Sequence, residues 1–292
     1  LRIQTNPTTT PRLFKGAIVS EPKYGKTRLA TSLPWDEFGE KAAYVAWDAG
    51  SEGLDSVLME NREHLVVAEP TGRVVGGKQT FDPHREAITI ATKPGAEGWT
   101  EVDGTAIPPV QSIIWDTMTA TARDLLAAYA DSGVFSGEKG DKHMSVGEVG
   151  TPYYMAQPMM GDYGISQRAV MHILRILFKQ PLNVFVLFHT DFMEPEGAGQ
   201  VTFGPATVGK AAIKSVASMF DNLFMLDVTE KLERGSPPKR VTQRVVYTDK
   251  KGLYLAGLRS PYPKNPIPEI AIGENPVDFW RTVNQVRRGE YK

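Results

Sequence analysis

The stretch that most constrains the fold is residues 16–33, which read GAIVSEPKYGKTRLATSL. It begins with apolar residues over the length of a strand, crosses a turn that contains Pro22 and Gly25, and continues with helical spacing. A strand, a glycine-containing turn and a helix in this order predict an α/β unit near the start of the chain. The tripeptide GKT at the turn makes it a candidate anion site.

Residues 20–27 match the phosphate-loop pattern G-x-x-x-x-G-K-[ST] at three of its four fixed positions, with serine replacing the first glycine. In such loops the amides surround phosphate oxygens, the lysine reaches the β- and γ-phosphates, and the hydroxyl binds Mg²⁺. A helix start with a solvated lysine is the alternative. We expect nucleotide contacts from Ser20, Glu21, Pro22, Lys23, Tyr24, Gly25, Lys26, Thr27 and Arg28.

Asp116 ends the apolar segment SIIWD, which has the length of a strand. A carboxylate at this position can hold the magnesium ion through water, whereas an isolated aspartate at a strand end more often caps the following helix. The two roles are compatible. Because GKT precedes it in the chain, we assign Asp116 to the metal site together with Thr27.

Hydrolysis also needs a group that orients or deprotonates the attacking water. Asp48 and Glu52 follow a second apolar segment, and Glu52 is preferred because its side chain reaches further; a solvated acidic turn is the alternative. His189 follows the apolar segment VFVLF, at a strand end that would face the γ-phosphate. We expect His189 to sense that phosphate.

Composition limits the remaining function classes. The 292 residues contain no cysteine, which excludes disulfides and thiolate metal sites, and the histidines lack zinc-site spacing. The net charge of −1 means that any nucleic-acid contact must come from local patches. No apolar run approaches the ~18 residues that span a bilayer, and we find no leader, so we expect a cytoplasmic protein without membrane contact. Because residue 1 is leucine, we expect the chain to begin inside a longer one or after trimming.

The alternation of apolar segments with helical periods predicts one α/β domain with a mostly parallel central sheet flanked by helices. Residues 1–12 are predicted to be an arm, and residues 60–110 a β-rich antiparallel insertion in which HLVVAE and EAITIAT are strands. Two glycine-rich stretches, 131–161 and 191–209, are predicted to be long loops. A β-hairpin and a helix opened by Asn275-Pro276 end the chain.

Taken in order, the motifs SEPKYGKT, AYVAWDAGSEG, IIWDT, VFVLFHT and GKAAIKSVASMFDNLFML resemble the RecA-like P-loop ATPases. They are most similar to the phage-type AAA-domain proteins of the Sak single-strand-annealing group. The resemblance covers residues 13–260 and leaves 261–292 as an extension. It implies an ATPase that uses ATP and Mg²⁺, binds single-stranded DNA during recombination or annealing, and self-associates into a ring or filament. A single-strand DNA-binding protein would be a further partner, and a phage-encoded protein would act in the host cytoplasm.

The resemblance also implies roles for individual residues. Catalytic roles fall to Lys26, Asp116, His189 and either Glu52 or Asp48. Arg259, followed by Lys251 and Lys250, would reach the ATP of a neighbouring subunit. The loops 131–161 and 191–209 would face DNA, with contacts from Lys139, Lys142, Tyr153, Tyr154, Phe192, Phe203, Lys210 and Lys214. These loops hold few cations, so each subunit alone would bind DNA weakly. The most basic segment, with Lys231, Arg234, Lys239, Arg240 and Arg244, is compatible with DNA contact or with a solvated hairpin.

Two other function classes stay open. One is a different P-loop NTPase: a helicase or packaging motor, an AAA+ remodeller or a small-molecule kinase. An AAA+ remodeller would carry a helical lid after its core, where residues 240–260 are predicted to be strands, and a kinase would carry an arginine-rich lid, whereas residues 131–161 contain no arginine. The other class is a non-catalytic nucleotide-binding scaffold, in which Ser20 marks a weakened site. Measured ATP turnover decides whether the scaffold class applies, and phosphorylation of a small acceptor would favour a kinase.

Overall fold

The structure is a computed structural model. It describes residues 13–47, 54–70, 73–75, 78–80, 82–92, 109–132, 145–146, 155–156, 158–193, 201–233 and 239–292. The strands are β1 Lys15–Ser20, β2 Ala42–Ala46, β3 Leu65–Ala68, β4 Arg73–Val75, β5 Lys78–Thr80, β6 Ser112–Asp116, β7 Ser145–Val146, β8 Met155–Ala156, β9 Asn183–Met193, β10 Thr202–Pro205, β11 Asn222–Glu233, β12 Lys239–Tyr247, β13 Asp249–Lys251, β14 Tyr254–Leu258 and β15 Glu269–Ile272. The helices are α1 Lys26–Thr31, α2 Trp35–Phe38, α3 Met59–Arg62, α4 Pro83–Thr92, α5 Met118–Ser132, α6 Met160–Lys179, α7 Ala212–Ala217 and α8 Val277–Arg288.

Six strands form the parallel part of the main sheet, in the order β3-β2-β6-β9-β1-β11. Strands β12 and β15 continue it antiparallel beyond β11. The central strands are apolar and buried along their length, as strands covered on both faces must be. This arrangement confirms the predicted fold class, an α/β domain with a mostly parallel sheet.

Two helical layers cover the sheet. Ala17 and Val19 of β1 pack into a core shared with α4, α5 and α6, whereas Ile18 between them packs into a second core shared with α1, α2 and α8. This division follows from the alternation of side chains along a strand. In the second core the indole of Trp280 on α8 donates a hydrogen bond to the carbonyl of Leu29 at 2.7 Å. Helix α8 therefore packs directly against the helix that follows the glycine turn.

The segment 60–110 differs from its prediction in two places. HLVVAE contributes β3, which pairs parallel with β2 in the main sheet instead of standing in a separate antiparallel unit. EAITIAT lies in α4, so the prediction of a strand there was wrong. An antiparallel hairpin does occur in this segment, between β4 and β5.

The described part of the second glycine-rich stretch, residues 191–193 and 201–209, is less irregular than predicted. Strand β9 continues to Met193 and pairs antiparallel with β10, so the described part of this stretch is mostly a hairpin. In the first stretch, β7 and β8 form a short antiparallel pair. Within the parts of the chain described above, no helix is both long and apolar enough to cross a membrane.

Candidate active site

The glycine turn joins β1 to α1 at the carboxyl edge of the sheet. Lys23 and Gly25 have φ angles of 68° and 97°, in the left-handed region. Gly25 precedes the first residue of α1, and its carbonyl accepts the amide of Leu29 at 3.0 Å. Tyr24 between them does not have a positive φ, so the sign of φ alternates along the turn. Alternation of this kind turns backbone amides towards one concave face, as in an anion-binding nest.

Ser20 stands where the phosphate-loop pattern has its first glycine. It is the last residue of β1, fully buried, and pairs with His189 on β9. Its backbone is that of a strand and does not enter the left-handed region. Serine is therefore accommodated at this position without strain.

Thr27 and Asp116 meet across the carboxyl ends of β1 and β6. The Thr27 hydroxyl donates to Oδ2 of Asp116 at 2.6 Å. Asp116 is almost fully buried, and the peptide bond that follows it is cis. The helix-capping role falls to Thr117, whose hydroxyl accepts the amide of Ala120 at 3.1 Å. The Asp116 side chain thus faces the glycine turn instead of capping α5.

Lys26 and His189 form the second pair of the site. The Lys26 ammonium lies 3.3 Å from Nδ1 of His189, and Lys26 is buried. Strand β9 lies between β1 and β6, so His189 stands between the glycine turn and Asp116. Its backbone is fixed by Thr119, whose hydroxyl accepts the His189 amide at 3.0 Å, and by the amide of Ala206, which donates to the His189 carbonyl at 2.7 Å.

The structure thus brings together Lys26, Thr27, Asp116 and His189, at the edge where parallel sheets place their ligands. The two candidate catalytic carboxylates, Asp48 and Glu52, lie outside the described residues. Their strand is present: β2 runs beside β6, and the amide of Trp47 donates to the Asp116 carbonyl at 2.7 Å.

The donor set fits a magnesium ion that is held mainly by nucleotide and water. The Thr27 hydroxyl donates a hydrogen bond to Asp116, so the lone pairs of its oxygen stay available to a cation. Mg²⁺ usually takes one or two protein oxygens and keeps several waters. Among the described residues, no group of three or more histidine, aspartate or glutamate side chains could hold a metal by itself.

Arg244 was not predicted to belong to the nucleotide site. Its Nε donates to the carbonyl of Tyr24 at 2.9 Å, and it lies 3.3 Å from the position that a Cβ on Gly25 would take. The sequence marked Arg244 only as part of a basic segment. The pairing of β12 with β11 brings Arg244 to the glycine turn, and the composition of the sequence does not reveal this pairing.

A cavity of about 840 Å³ opens beside the glycine turn, on the side of Arg244. Apolar side chains of α1, β11, β12 and β15 line it together with Arg28, Arg244 and Glu274. Arg28 and Arg244 are exposed and form no ion pair with any described residue. The lining combines apolar walls with two cations next to the turn.

Tyr44 is the second residue that sequence reasoning missed. It lies on β2, is 1% exposed, and its hydroxyl donates to Oδ2 of Asp116 at 2.8 Å. In the sequence it sits inside an apolar strand, where an aromatic residue indicates only core packing. The partner strand and its register were needed to find this contact.

The predicted DNA contacts fall partly on the β9–β10 hairpin. Phe192 and Phe203 are paired across the hairpin, and the Lys210 ammonium lies 4.2 Å from the centre of the Phe192 ring. Phe192 is 39% exposed, whereas Phe203 is half-buried against Tyr254. Lys214 is exposed on α7. The other candidates lie outside the described residues: Lys139, Lys142, Tyr153 and Tyr154.

Of the residues predicted to act on a neighbouring subunit, Arg259 lies away from the glycine turn of its own chain. Lys251 does not, because its strand partner Tyr254 lines a small pocket together with Glu21 and Tyr24 of that turn. Arg259 pairs with Asp221, and its amide donates to Oδ1 of Asn222 at 3.4 Å, at the amino end of β11. Lys251 pairs with Glu269 and lies 4.8 Å from the centre of the Tyr247 ring, and Lys250 is exposed.

Residues 13–260 match the model of a family described as AAA domain. Similar solved structures include the RadB recombinase, with 13% identity, a TM-score of 0.40, and coverage of 89% of this chain and 88% of that chain. Another is a prototypical ATPase from the type III secretion system of pathogenic bacteria, with 15% identity, a TM-score of 0.35, and coverage of 74% and 51%. No curated protein matches this sequence. The family match includes the glycine turn, Asp116 and His189.

Proposed function

The chain belongs to the AAA domain family and is a P-loop ATPase with a RecA-like fold, and from this premise we propose that it hydrolyses magnesium-bound ATP to act on single-stranded DNA in annealing or strand exchange. The observation that carries the ATP site is the meeting of Thr27 with Asp116 beside the pair formed by Lys26 and His189.

The phosphates lie against residues 20–27 in this proposal. The loop amides and the Lys26 ammonium bind the phosphate oxygens, and Lys26 exchanges its contact with His189 for the γ-phosphate. His189 then contacts that phosphate from the adjacent strand. Glu52, or Asp48 in its place, orients the attacking water. Thr27 and Asp116 would hold Mg²⁺, which would neutralise phosphate charge when bound.

The nucleoside lies in the cavity beside Arg28 and Arg244. Its volume of about 840 Å³ is more than a purine nucleoside needs and falls within the range of small-molecule pockets. Apolar walls at Leu29, Leu226 and Ile272 suit a base. Arg28 and Arg244 are positioned at the end nearest the phosphates.

Single-stranded DNA contacts Phe192 on the β9–β10 hairpin and Lys210, whose ammonium lies over the Phe192 ring. An exposed ring with a cation over it can stack a base and pair with a phosphate at the same place. The pairing of the hairpin begins at Thr190, directly after His189, and the Ala206 amide ties its other end to the His189 carbonyl. This continuity supports a link between the γ-phosphate and DNA. A single chain offers few such cations, so self-association into a ring or filament would line several hairpins along one strand.

The ATPase is tested by comparing turnover of the wild type with Lys26→Ala. We expect turnover in the wild type and a background rate in the variant, since the ammonium is the main fixed cation at the phosphates. Equal background rates in both would leave only a nucleotide-binding scaffold. Phosphate appearing on a small acceptor instead of in solution would indicate a kinase.

DNA binding is tested by fluorescence anisotropy with a labelled oligonucleotide at low salt, with and without ATP. Phe192→Ala and Lys210→Gln are expected to weaken binding, and Lys210→Gln should reduce the salt slope by about one unit. Matched controls are Met59→Ala and Lys264→Gln, which remove an exposed apolar group and an exposed cation elsewhere. No affinity in the wild type at low salt would reject the DNA partner.

A further inference from the structure

A buried tyrosine contacts the metal-site carboxylate from the neighbouring strand. Tyr44 lies in the core between the sheet and the layer formed by α1, α2 and α8, among apolar side chains. Its strand β2 pairs in parallel with β6, with Tyr44 opposite Ile114 and Ala46 opposite Asp116. The Tyr44 hydroxyl therefore reaches Asp116 along the cross-strand diagonal.

Two hydroxyls donate to the same oxygen of that carboxylate. Oδ2 of Asp116 accepts from Thr27 at 2.6 Å and from Tyr44 at 2.8 Å. Hydrogen bonds to an ionised oxygen are short and about twice as strong as neutral ones, and each favours the charged form. Two donors that approach from different elements, α1 and β2, fix the rotation of the carboxylate more tightly than either alone.

Packing alone does not account for the hydroxyl. A phenylalanine would fill the same apolar position, whereas a buried hydroxyl needs a partner. The partner here is the residue whose orientation decides whether Thr27 presents its oxygen to a cation. When Asp116 accepts the hydrogen bond from the Thr27 hydroxyl, the lone pairs of the Thr27 oxygen are left for the metal.

We propose that Tyr44 is a positioning residue for Asp116, and that through this carboxylate it sets the affinity of the site for magnesium-bound nucleotide. The inference rests on the proposed ATP site. Tyr44 touches neither nucleotide nor metal, and it acts by holding Asp116 towards Thr27.

The test is equilibrium binding of a fluorescent ATP analogue to Tyr44→Phe, measured once with Mg²⁺ and once with EDTA. We expect roughly a tenfold loss of affinity with Mg²⁺, the size expected for one hydrogen bond to a charged group, and less than about a twofold change in EDTA. The matched control is Tyr262→Phe, which also removes a hydroxyl, one that donates to the Tyr291 carbonyl at 2.7 Å. Its affinity should equal that of the wild type under both conditions.

A double-mutant comparison separates positioning from general stability. Asp116→Asn should remove the magnesium-dependent gain in affinity, and adding Tyr44→Phe to it should change nothing further. The inference is overturned if Tyr44→Phe binds like the wild type, or if it loses affinity equally with Mg²⁺ and in EDTA. If the wild type binds no nucleotide, the proposed function itself is rejected. If the wild type binds nucleotide and Tyr44→Phe binds it equally well, only the role of Tyr44 is rejected.

Discussion

The site depends on a small number of polar contacts between strand ends. Lys26 has only donors on its ammonium, so Nδ1 of His189 must accept in their contact, which places the proton of a neutral His189 on Nε2. The Thr27 hydroxyl donates to Asp116 and the Asp116 backbone accepts from Trp47. Each contact joins residues from different elements, so a single substitution changes the geometry of the others.

Replacing His189 tests its proposed contact with the γ-phosphate. His189→Gln keeps an N–H donor at this strand end, whereas His189→Leu has none. We expect kcat of the leucine variant to fall by roughly tenfold or more, with KM changed by less than about twofold, because in the proposal His189 contacts the γ-phosphate, where charge develops in the transition state. Steady-state ATPase kinetics of both variants provide the measurement. Equal kcat values for glutamine and leucine would contradict a role for the donor.

Lys15 gives the fold a defined pH dependence. Burial lowers the pKa of its ammonium to about 8 from an ordinary value of 10.5, while its Nζ donates to the carbonyls of Gln180 and Leu182. Between these two pKa values the unfolded state binds more protons than the native state, so the free energy of unfolding rises with pH. We expect this rise in the wild type and not in Lys15→Met.

Denaturant unfolding at about pH 7.5 and pH 9.5 measures the difference between the two proteins. Tyr254, whose pKa is raised to about 12 by burial and by Asp227, acts in the opposite direction at higher pH, but it is present in both proteins and cancels. A difference that stays constant with pH would contradict the assignment to Lys15.

The site residues that could be predicted are those with a local signal in the sequence. Lys26 and Thr27 belong to a contiguous motif, and Asp116 and His189 each follow an apolar strand, so their positions at the carboxyl edge follow from parallel topology. Tyr44 could not be predicted, because its only signal is a hydroxyl within a buried strand. Its importance depends on the register between β2 and β6.

At the scale of elements, helix α4 shows how the composition of a segment outweighed its helix-capping signal in the prediction. EAITIAT is rich in residues that favour strands, but it follows Asp82-Pro83, and the Asp82 carboxylate accepts the Arg85 amide at 3.0 Å as a helix cap does. The buried positions Pro83, Ala87, Ile90 and Ala91 have helical spacing. The capping residue and the period of 3.6 were present in the sequence, and the β-branched composition favoured the other answer.

Two elements that are far from the glycine turn in the sequence, β12 and β15, help to form the cavity beside it. Ile272→Trp would fill part of it, while Ala271→Trp places the same ring on the opposite face of β15. We expect Ile272→Trp to weaken ATP binding by roughly tenfold and to leave tripolyphosphate binding unchanged, because only the nucleoside would occupy the cavity. Calorimetry with both ligands tests this. Equal weakening of both ligands, or an effect of Ala271→Trp of the same size, would place the nucleoside elsewhere.

At the scale of the whole molecule, the two ends of the parallel strands carry different functions in the proposal. The nucleotide site lies at the carboxyl edge, after residue 20, whereas Arg259 lies near Asn222, which pairs with Gly16 at the amino end of β1. Residue 20 follows Gly16 by four residues along β1, so the nucleotide site and Arg259 are separated by about 13 Å along the strand direction. Arg259 therefore does not serve the nucleotide of its own chain, and a role in ATP hydrolysis requires a second copy.

The ion pair that holds Arg259 is compatible with such a role. Its partner Asp221 is exposed, and a surface pair of this kind contributes at most about 1 kcal/mol, so a neighbouring phosphate can replace it at little cost. Arg259→Ala would then remove the cation from the neighbour's site while leaving its own phosphate loop intact. Lys26→Ala does the reverse.

Mixing these two variants tests the arrangement. Each alone should have a background ATPase rate, but in a random mixture roughly one interface in four combines an intact Lys26 with an intact Arg259 from the next subunit. We expect the mixture to recover turnover that neither variant shows, and to do so only at concentrations at which the chains associate. Turnover that stays at background in the mixture while both variants assemble normally would exclude Arg259, and normal turnover of Arg259→Ala alone would leave Lys251 and Lys250 as the cations to test. Because the two residues lie on opposite edges of one sheet, recovery cannot arise within a single chain, and it would therefore establish that the active unit is an assembly.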